Sequence, residues 1–546
     1  MFRASTGAEP TSKTNLIVED IYSILEPLDF IVVAVYLIII IGLGFWVSFR
    51  KKKQSGENLF LAGHSLGWSS IGFTMWGTNV GPSMLIASAS IGFTTGMVAG
   101  NFSWYAFLFI FLLAVVFAPR YLGAKVLTLP EFMGKRFGQS TRSILAWYTI
   151  ITVLISWLSL TLFAGGILVG QILNLPLWAS VMVLIAIAAF FTIAGGLEAI
   201  AFTNVFQMIL LIVVSLALTV VGVIKAGGPV AIYEAVPAEY WNLLRPLDDP
   251  NYPWAAILLG YPIMGVWFWC TDQSMVQSVL GAKSLKQGQL GANFTGWLKI
   301  LDVPLFILPG IICFILYPEL ENPDTAYMTM VTRLFPAGMT GLVMAVLIAA
   351  LVSTIDSALN SLSTVFTMDI YVKKVKPDAT QKEIVKIGRI VTVVGAIIAV
   401  ACSLAIDSIK GLNLFDVFQS VLGFIAPPMS VVFLFGVFWK KTTTRAANFI
   451  LTAGTAFSIG TGIMYLWVFP SAVYDFWPHF LLLSFYIFVI LSVLAFLISY
   501  FDNNAEARNQ NELDFSNLVK PSRSVYVLWV LLIIVMVGLY VFFNGH

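Results

Sequence analysis

The sequence predicts an all-α multi-pass membrane protein, and three observations carry that prediction. The first is composition: 59% of the 546 residues are hydrophobic and 11% are charged, with a mean hydropathy of +0.90. A soluble chain of this length carries roughly 136 charged residues, whereas this one has 30 basic and 28 acidic, too few to cover a surface facing water. The second is a succession of about fourteen apolar stretches, each near the ~20 residues that cross a bilayer as a helix. The third is that Lys and Arg concentrate in alternate loops, the pattern of cytoplasmic segments.

The elements follow in order. Residues 1–28 are polar to amphipathic, with no basic start and no small-residue cleavage site, and read as a retained extracellular tail. An extra first helix spans 29–49. Stretches at 66–92, 96–119, 143–173, 177–195 and 200–225 form one five-helix unit, 66–225. The segment 226–252, with Glu234, Glu239, Asp248 and Asp249, reads as an amphipathic hairpin or a lid. Stretches at 253–280, 295–317, 338–366, 386–407 and 414–439 form a second unit, 253–439. Additional helices occupy 446–500, an Asn-, Asp- and Glu-rich cytoplasmic linker spans 501–523, and 524–546 holds a last helix and an extracellular C-terminus. With the N-terminus outside, only Arg3, Lys13, Lys225, Arg245, Arg333 and Lys410 fall in or beside outer loops, so both termini are expected to face out.

Composition also excludes several functions. A net charge of +2 suggests no nucleic-acid partner. Cys270, Cys313 and Cys402 form no paired motif, and His64, His479 and His546 are scattered, so no disulfide framework, zinc site or proton relay is readable. No phosphate loop, HExxH or dinucleotide fingerprint is present, and the chain does not read as an enzyme.

Two apolar stretches are interrupted. Thr74-Met75-Trp76-Gly77-Thr78-Asn79-Val80-Gly81-Pro82-Ser83 breaks the second span, and Gly260-Tyr261-Pro262, Gly265 and Trp267-Phe268-Trp269-Cys270-Thr271-Asp272-Gln273 break the seventh. Either alone could be a packed proline kink. Two interruptions at matching places in two five-helix units point to an inverted-repeat transporter with a site near the midplane.

Phe60-Leu61-Ala62-Gly63, Asn79, Thr128-Leu129-Pro130-Glu131-Phe132, Lys135-Arg136-Phe137, Gly195-Gly196-Leu197, Ala282-Lys283-Ser284, Phe366-Thr367-Met368-Asp369-Ile370-Tyr371 and Phe438-Trp439-Lys440-Lys441 resemble the sodium/solute symporter family. The likeness is greatest to its sodium/glucose cotransporter branch and runs in order from about residue 29 to 445. It implies a leucine-transporter-like five-plus-five inverted repeat, discontinuous first and sixth core helices, fourteen helices in all, and sodium-driven uptake by alternating access.

The same resemblance implies a sodium site from the Gly77 and Val80 carbonyls, the Ala350 carbonyl and the Ser353 and Thr354 hydroxyls, although Ser and Thr also serve as interhelical glue. Asp356, three residues from Ser353 and so near its face, is a possible accessory cation ligand. Asn204 stands where relatives often have an aspartate, which favours one sodium per cycle. Asn79, Lys299 and Gln419 occupy positions that contact sugar in relatives; Lys299 could instead pair locally with Asp302. Three other positions depart from the branch. Ser103 stands where a carboxylate is expected, Met84 replaces a polar residue, and Phe268 replaces a ring-stacking Tyr. Trp269 completes the candidate substrate site, with Phe102 and Phe415 as candidate gates. The expected cargo is a small neutral solute, a sugar or polyol handled differently from glucose. Alternatives are sodium symport of an amino acid, vitamin or anion, or a sodium/sugar sensor that accumulates nothing. No clean glycosylation sequon falls in an outer loop, which favours the inner membrane of a bacterium.

Overall fold

The computed structural model describes residues 25–49, 55–173, 175–249, 252–407, 414–471, 473–474, 476–502 and 521–544. The tail at 1–24, most of the 501–523 linker and residues 545–546 lie outside the described residues, as do the side chains of Phe415 and Gln419. Among the described residues the chain is almost wholly helical, and 11 helices are long and apolar enough to cross a membrane. Leu177–Ile193 and Ala256–Thr271 are shorter apolar helices.

Helix α1 (Pro27–Phe49) is anchored in its first turn, where Asp29 accepts the Gly338 and Gly341 amides at 2.7 and 2.6 Å. The stretch expected at 66–92 is two helices, α2 (Trp68–Asn79) and α3 (Pro82–Thr95). Pro82 has no amide hydrogen, so the Thr78 carbonyl loses its helical donor. The Gly81 N–H turns to the Asn79 carbonyl at 3.0 Å, and the ladder restarts with Leu85 N–H on the Gly81 carbonyl. The second interruption is built differently. Asp272 adopts an extended conformation, and its carboxylate caps the following helix by accepting the Ser274 and Met275 amides at 2.9 and 3.2 Å.

The spans expected at 177–195 and 200–225 are two helices joined directly as α4 (Leu177–Lys225), with a non-helical kink at Gly196 between them, φ +55° and ψ −154°. A Cβ at Gly196 would overlap the Leu59 carbonyl oxygen, so position 196 demands both a left-handed backbone and a missing side chain. Gly196→Ala is therefore expected to destabilise the protein by more than about 2 kcal/mol, read as a lowered melting temperature in detergent. Gly42→Ala, where a Cβ meets nothing within 4 Å, is the control expected to leave it unchanged.

Two further helices position the site. Helix α5 (Leu285–Ile300) packs along α2, and α6 (Met339–Val365) is buried along nearly its whole length between α4, α1 and α2. A helix enclosed by other helices must present its polar side chains to protein, which makes those of α6 informative. Helix α7 (Leu414–Phe438) carries positions 415 and 419.

The last helix, Arg523–Phe542, is docked, with Trp529 edge-on to Phe111 at 5.2 Å and the Tyr540 hydroxyl donating to Asn101 at 2.9 Å. The 226–252 segment forms a short helix, Pro229–Ala235, and a turn whose Tyr240 lies over the C-terminal end of α3, its hydroxyl 3.1 Å from the Phe93 carbonyl and 2.9 Å from that of Thr94.

Candidate functional site

The break between α2 and α3 faces α6 on one side. A Cβ on Gly77 would come within 3.3 Å of Ser353 Oγ and 3.0 Å of Met208, so only glycine lets the α2 backbone approach this closely. The Thr354 hydroxyl lies 3.4 Å from the Thr78 carbonyl released by Pro82 and 3.2 Å from the Ala350 carbonyl, and its one hydrogen can serve only one of them. Ser353 Oγ is fully buried with no hydrogen-bond partner among the described residues. An orphan hydroxyl on α6 therefore faces a break in which the Thr78 carbonyl has lost its helical donor. Gly77 thus meets Ser353, Ala350 meets Thr354, and Val80 is fully buried in the same break.

Two participants were not anticipated. Thr78 Oγ1 donates to Ser357 Oγ at 2.9 Å, and Ser357 Oγ lies 2.8 Å from the Ser353 carbonyl, so these hydroxyls brace the break against α6. Their only signal in sequence is position, Thr78 inside the interruption and Ser357 one turn beyond Ser353. Asp356 is buried with Oδ2 unpartnered, and its Oδ1 is 3.4 Å from Ser357 Oγ. On α4, Asn204 and Gln207 are buried with neither end of the amide satisfied among the described residues.

The other side of the break faces α5. Lys299 Nζ donates to Asn79 Oδ1 at 2.7 Å and to the Asp302 carboxylate, and it lies 5.8 Å from the Trp269 ring centroid, within cation–π range. Lys299 and Asp302 are each 1% exposed, so the local pairing open at the sequence level is realised as a dry ion pair. Asp302 also accepts the Trp76 indole N–H at 2.8 Å on one oxygen and the Ser103 hydroxyl at 2.8 Å on the other. The Asp302 carboxylate thus lies one hydrogen bond from Ser103. Asn79, half-buried at the end of α2, is the polar group of this cluster nearest to open space.

The remaining candidates form the surroundings. Phe268 packs at 5.0 Å from Trp269 and 5.3 Å from Trp157. Phe102 is edge-on to Tyr252 and Tyr261, at 6.0 and 5.5 Å, between the 226–252 segment and the second broken helix. Met84 is half-buried in the first turn of α3.

A family model described as the sodium:solute symporter family matches residues 59–454. Sodium/glucose cotransporter 4 of Danio rerio is 32% identical over 465 residues, 79% of this chain and 71% of that protein. Sodium/myo-inositol cotransporter 2 of Oryctolagus cuniculus is 31% identical over 465 residues, 79% of this chain and 69% of that protein. Among solved structures, a Na+-coupled sialic acid symporter in a substrate-bound outward-open state aligns with a TM-score of 0.73 at 16% identity, covering 87% of this chain and 98% of that one. At that identity the likeness speaks for the fold alone.

Proposed function

Because the chain belongs to the sodium:solute symporter family, we propose that it imports a sugar or polyol on the sodium gradient, with both ligands gathered on the break between α2 and α3. The protein is a multi-pass membrane transporter, not an enzyme, and Na+ is its co-transported ion. The observation that carries the reading is local: Asn79, bonded to Lys299, sits between Gly77 and Val80 on the segment braced against Ser353 and Thr354. Any cation that orders those carbonyls also orders Asn79.

Sodium takes the carbonyls of Gly77, Val80 and Ala350 and the hydroxyls of Ser353 and Thr354, with Asp356 as an accessory cation ligand. The solute meets Asn79, Lys299, Ser103 and Gln419, rests against Trp269, Phe268 and Met84, and is closed over by Phe102 and Phe415. Units 66–225 and 253–439 are the inverted repeats that rock about this centre, both termini face outward, and the membrane is the inner membrane of a bacterium.

Energetics are sufficient. One sodium entering down about 100 mV releases roughly 2.3 kcal/mol. A tenfold gradient adds about 1.4 kcal/mol, so one-to-one coupling supports accumulation of roughly several hundred-fold. Sodium-dependent accumulation in proteoliposomes tests the reading.

A further inference from the structure

A lysine at the middle of a membrane transporter creates a problem that a neutral cargo cannot solve. Lys299 is 1% exposed, and a bare ammonium there would favour an anion over an uncharged solute. The structure answers with Asp302, one turn further on, whose carboxylate is gripped from three directions: by Lys299 on its own helical segment, by Trp76 from the broken helix, and by Ser103 from the following span. Two of those grips cross 226 and 199 residues of sequence, so this is more than a local helix pair.

We propose that Asp302 is the positioning residue that sets the charge selectivity of the site: by neutralising Lys299 and aiming its ammonium at Asn79, it makes the site accept uncharged polyhydroxy solutes and reject sugar acids. This rests on the sugar or polyol reading above and adds which residue enforces it. The geometry divides the work. The Asp302 carboxylate holds three donors, using most of its roughly four lone-pair directions. Lys299 Nζ spends one hydrogen on Asp302 and one on Asn79 Oδ1, with Ser103 Oγ 3.5 Å away. The Asn79 carboxamide is thereby fixed with its oxygen toward Lys299 and its N–H groups turned away, as donors for a ligand hydroxyl. No net charge is left over for a ligand carboxylate to satisfy.

Removing the carboxylate while keeping the shape exposes the lysine charge. Asp302→Asn is expected to raise KM for the neutral solute at least about tenfold, and to make D-glucuronate a competitive inhibitor where it had no effect on the wild type. The double variant Asp302→Asn with Lys299→Met, which is neutral again, should lose the inhibition by D-glucuronate. Ser103→Ala, which removes one donor to Asp302 and leaves every charge in place, should raise KM a few-fold without admitting the acid.

The experiment is uptake of labelled D-glucose and myo-inositol into proteoliposomes, with D-glucuronate as competitor, for all four proteins after confirmation of a monodisperse fold. Inhibition by glucuronate in Asp302→Asn alone supports the proposal. A folded Asp302→Asn that loses neutral uptake with no response to glucuronate makes Asp302 merely structural and overturns it. If Asp302→Asn does not fold, Ser103→Ala decides: an unchanged KM, or a gain of glucuronate inhibition, overturns the proposal. Should the wild type accumulate neither solute, the sugar or polyol reading itself fails and this proposal falls with it, a result distinct from those that concern Asp302 alone.

Discussion

Ser353→Ala combined with Thr354→Ala is expected to abolish sodium-dependent uptake while leaving a folded, membrane-inserted protein. The Ser353 hydroxyl is buried with no hydrogen-bond partner among the described residues, so its removal takes no hydrogen bond from them. The Thr354 hydroxyl lies 3.2 and 3.4 Å from the Ala350 and Thr78 carbonyls and donates to one of them, and its loss leaves the α6 backbone ladder intact. Small hydroxyl-to-methyl changes at such sites lie within about 1 kcal/mol of neutral. For a cation the consequence differs, since on the proposed assignment two of roughly five oxygen ligands disappear. The half-saturating sodium concentration should rise beyond the accessible range, whereas melting in detergent should shift by only a few degrees. Uptake with unchanged sodium dependence would remove these residues from the sodium site. A collapse of folding would recast them as structural glue.

Lys299→Met alone should be more damaging to the fold than the same change made together with Asp302→Asn. In the single variant, the Asp302 carboxylate keeps the Trp76 and Ser103 donors but loses its counter-charge in a position 1% exposed. Breaking a buried pair from one side costs about 3–5 kcal/mol, whereas replacing both partners is often near neutral. The single variant should melt well below the wild type, and the double should recover most of the difference. Both should take up the neutral solute with a raised KM, because the amide of Asn79 loses the Lys299 ammonium that orients it. The melting temperatures of the two variants and the wild type, with uptake on the same preparations, check this; equal stabilities would show that the pair is not electrostatically coupled.

What the sequence made legible was backbone. Pro82 and the glycines around it announce a broken helix because proline withholds a donor, and that inference needs no partner. Asp272 and the aromatic run before it announced the second break, though not that the aspartate would cap the next helix. Hydropathy separates two spans near Gly195-Gly196, but it does not show that a single left-handed glycine makes the kink between the two helices. Side-chain partnerships were the illegible part. The three-residue spacing of Lys299 and Asp302 suggested a local pair, and nothing in sequence placed Trp76 and Ser103 on the same carboxylate. Ser103 carries no charge of its own, and only the fold brings the Asp302 carboxylate within one hydrogen bond of it. The orphan hydroxyl of Ser353 is likewise a property of packing: α6 is buried on every side, and no local pattern shows that its neighbours offer no donor or acceptor.

The central claim is that sodium and a neutral polyhydroxy solute bind to one broken segment and cross together. Its most direct test is uptake of labelled D-glucose, myo-inositol, deoxy and amino sugars and L-proline into proteoliposomes holding the purified chain, with an inward sodium gradient compared against potassium. Accumulation of a sugar or polyol above its external concentration, present with sodium and absent with potassium, is the predicted result. Accumulation of proline alone, or sugar binding with no accumulation in verified folded protein, would contradict it.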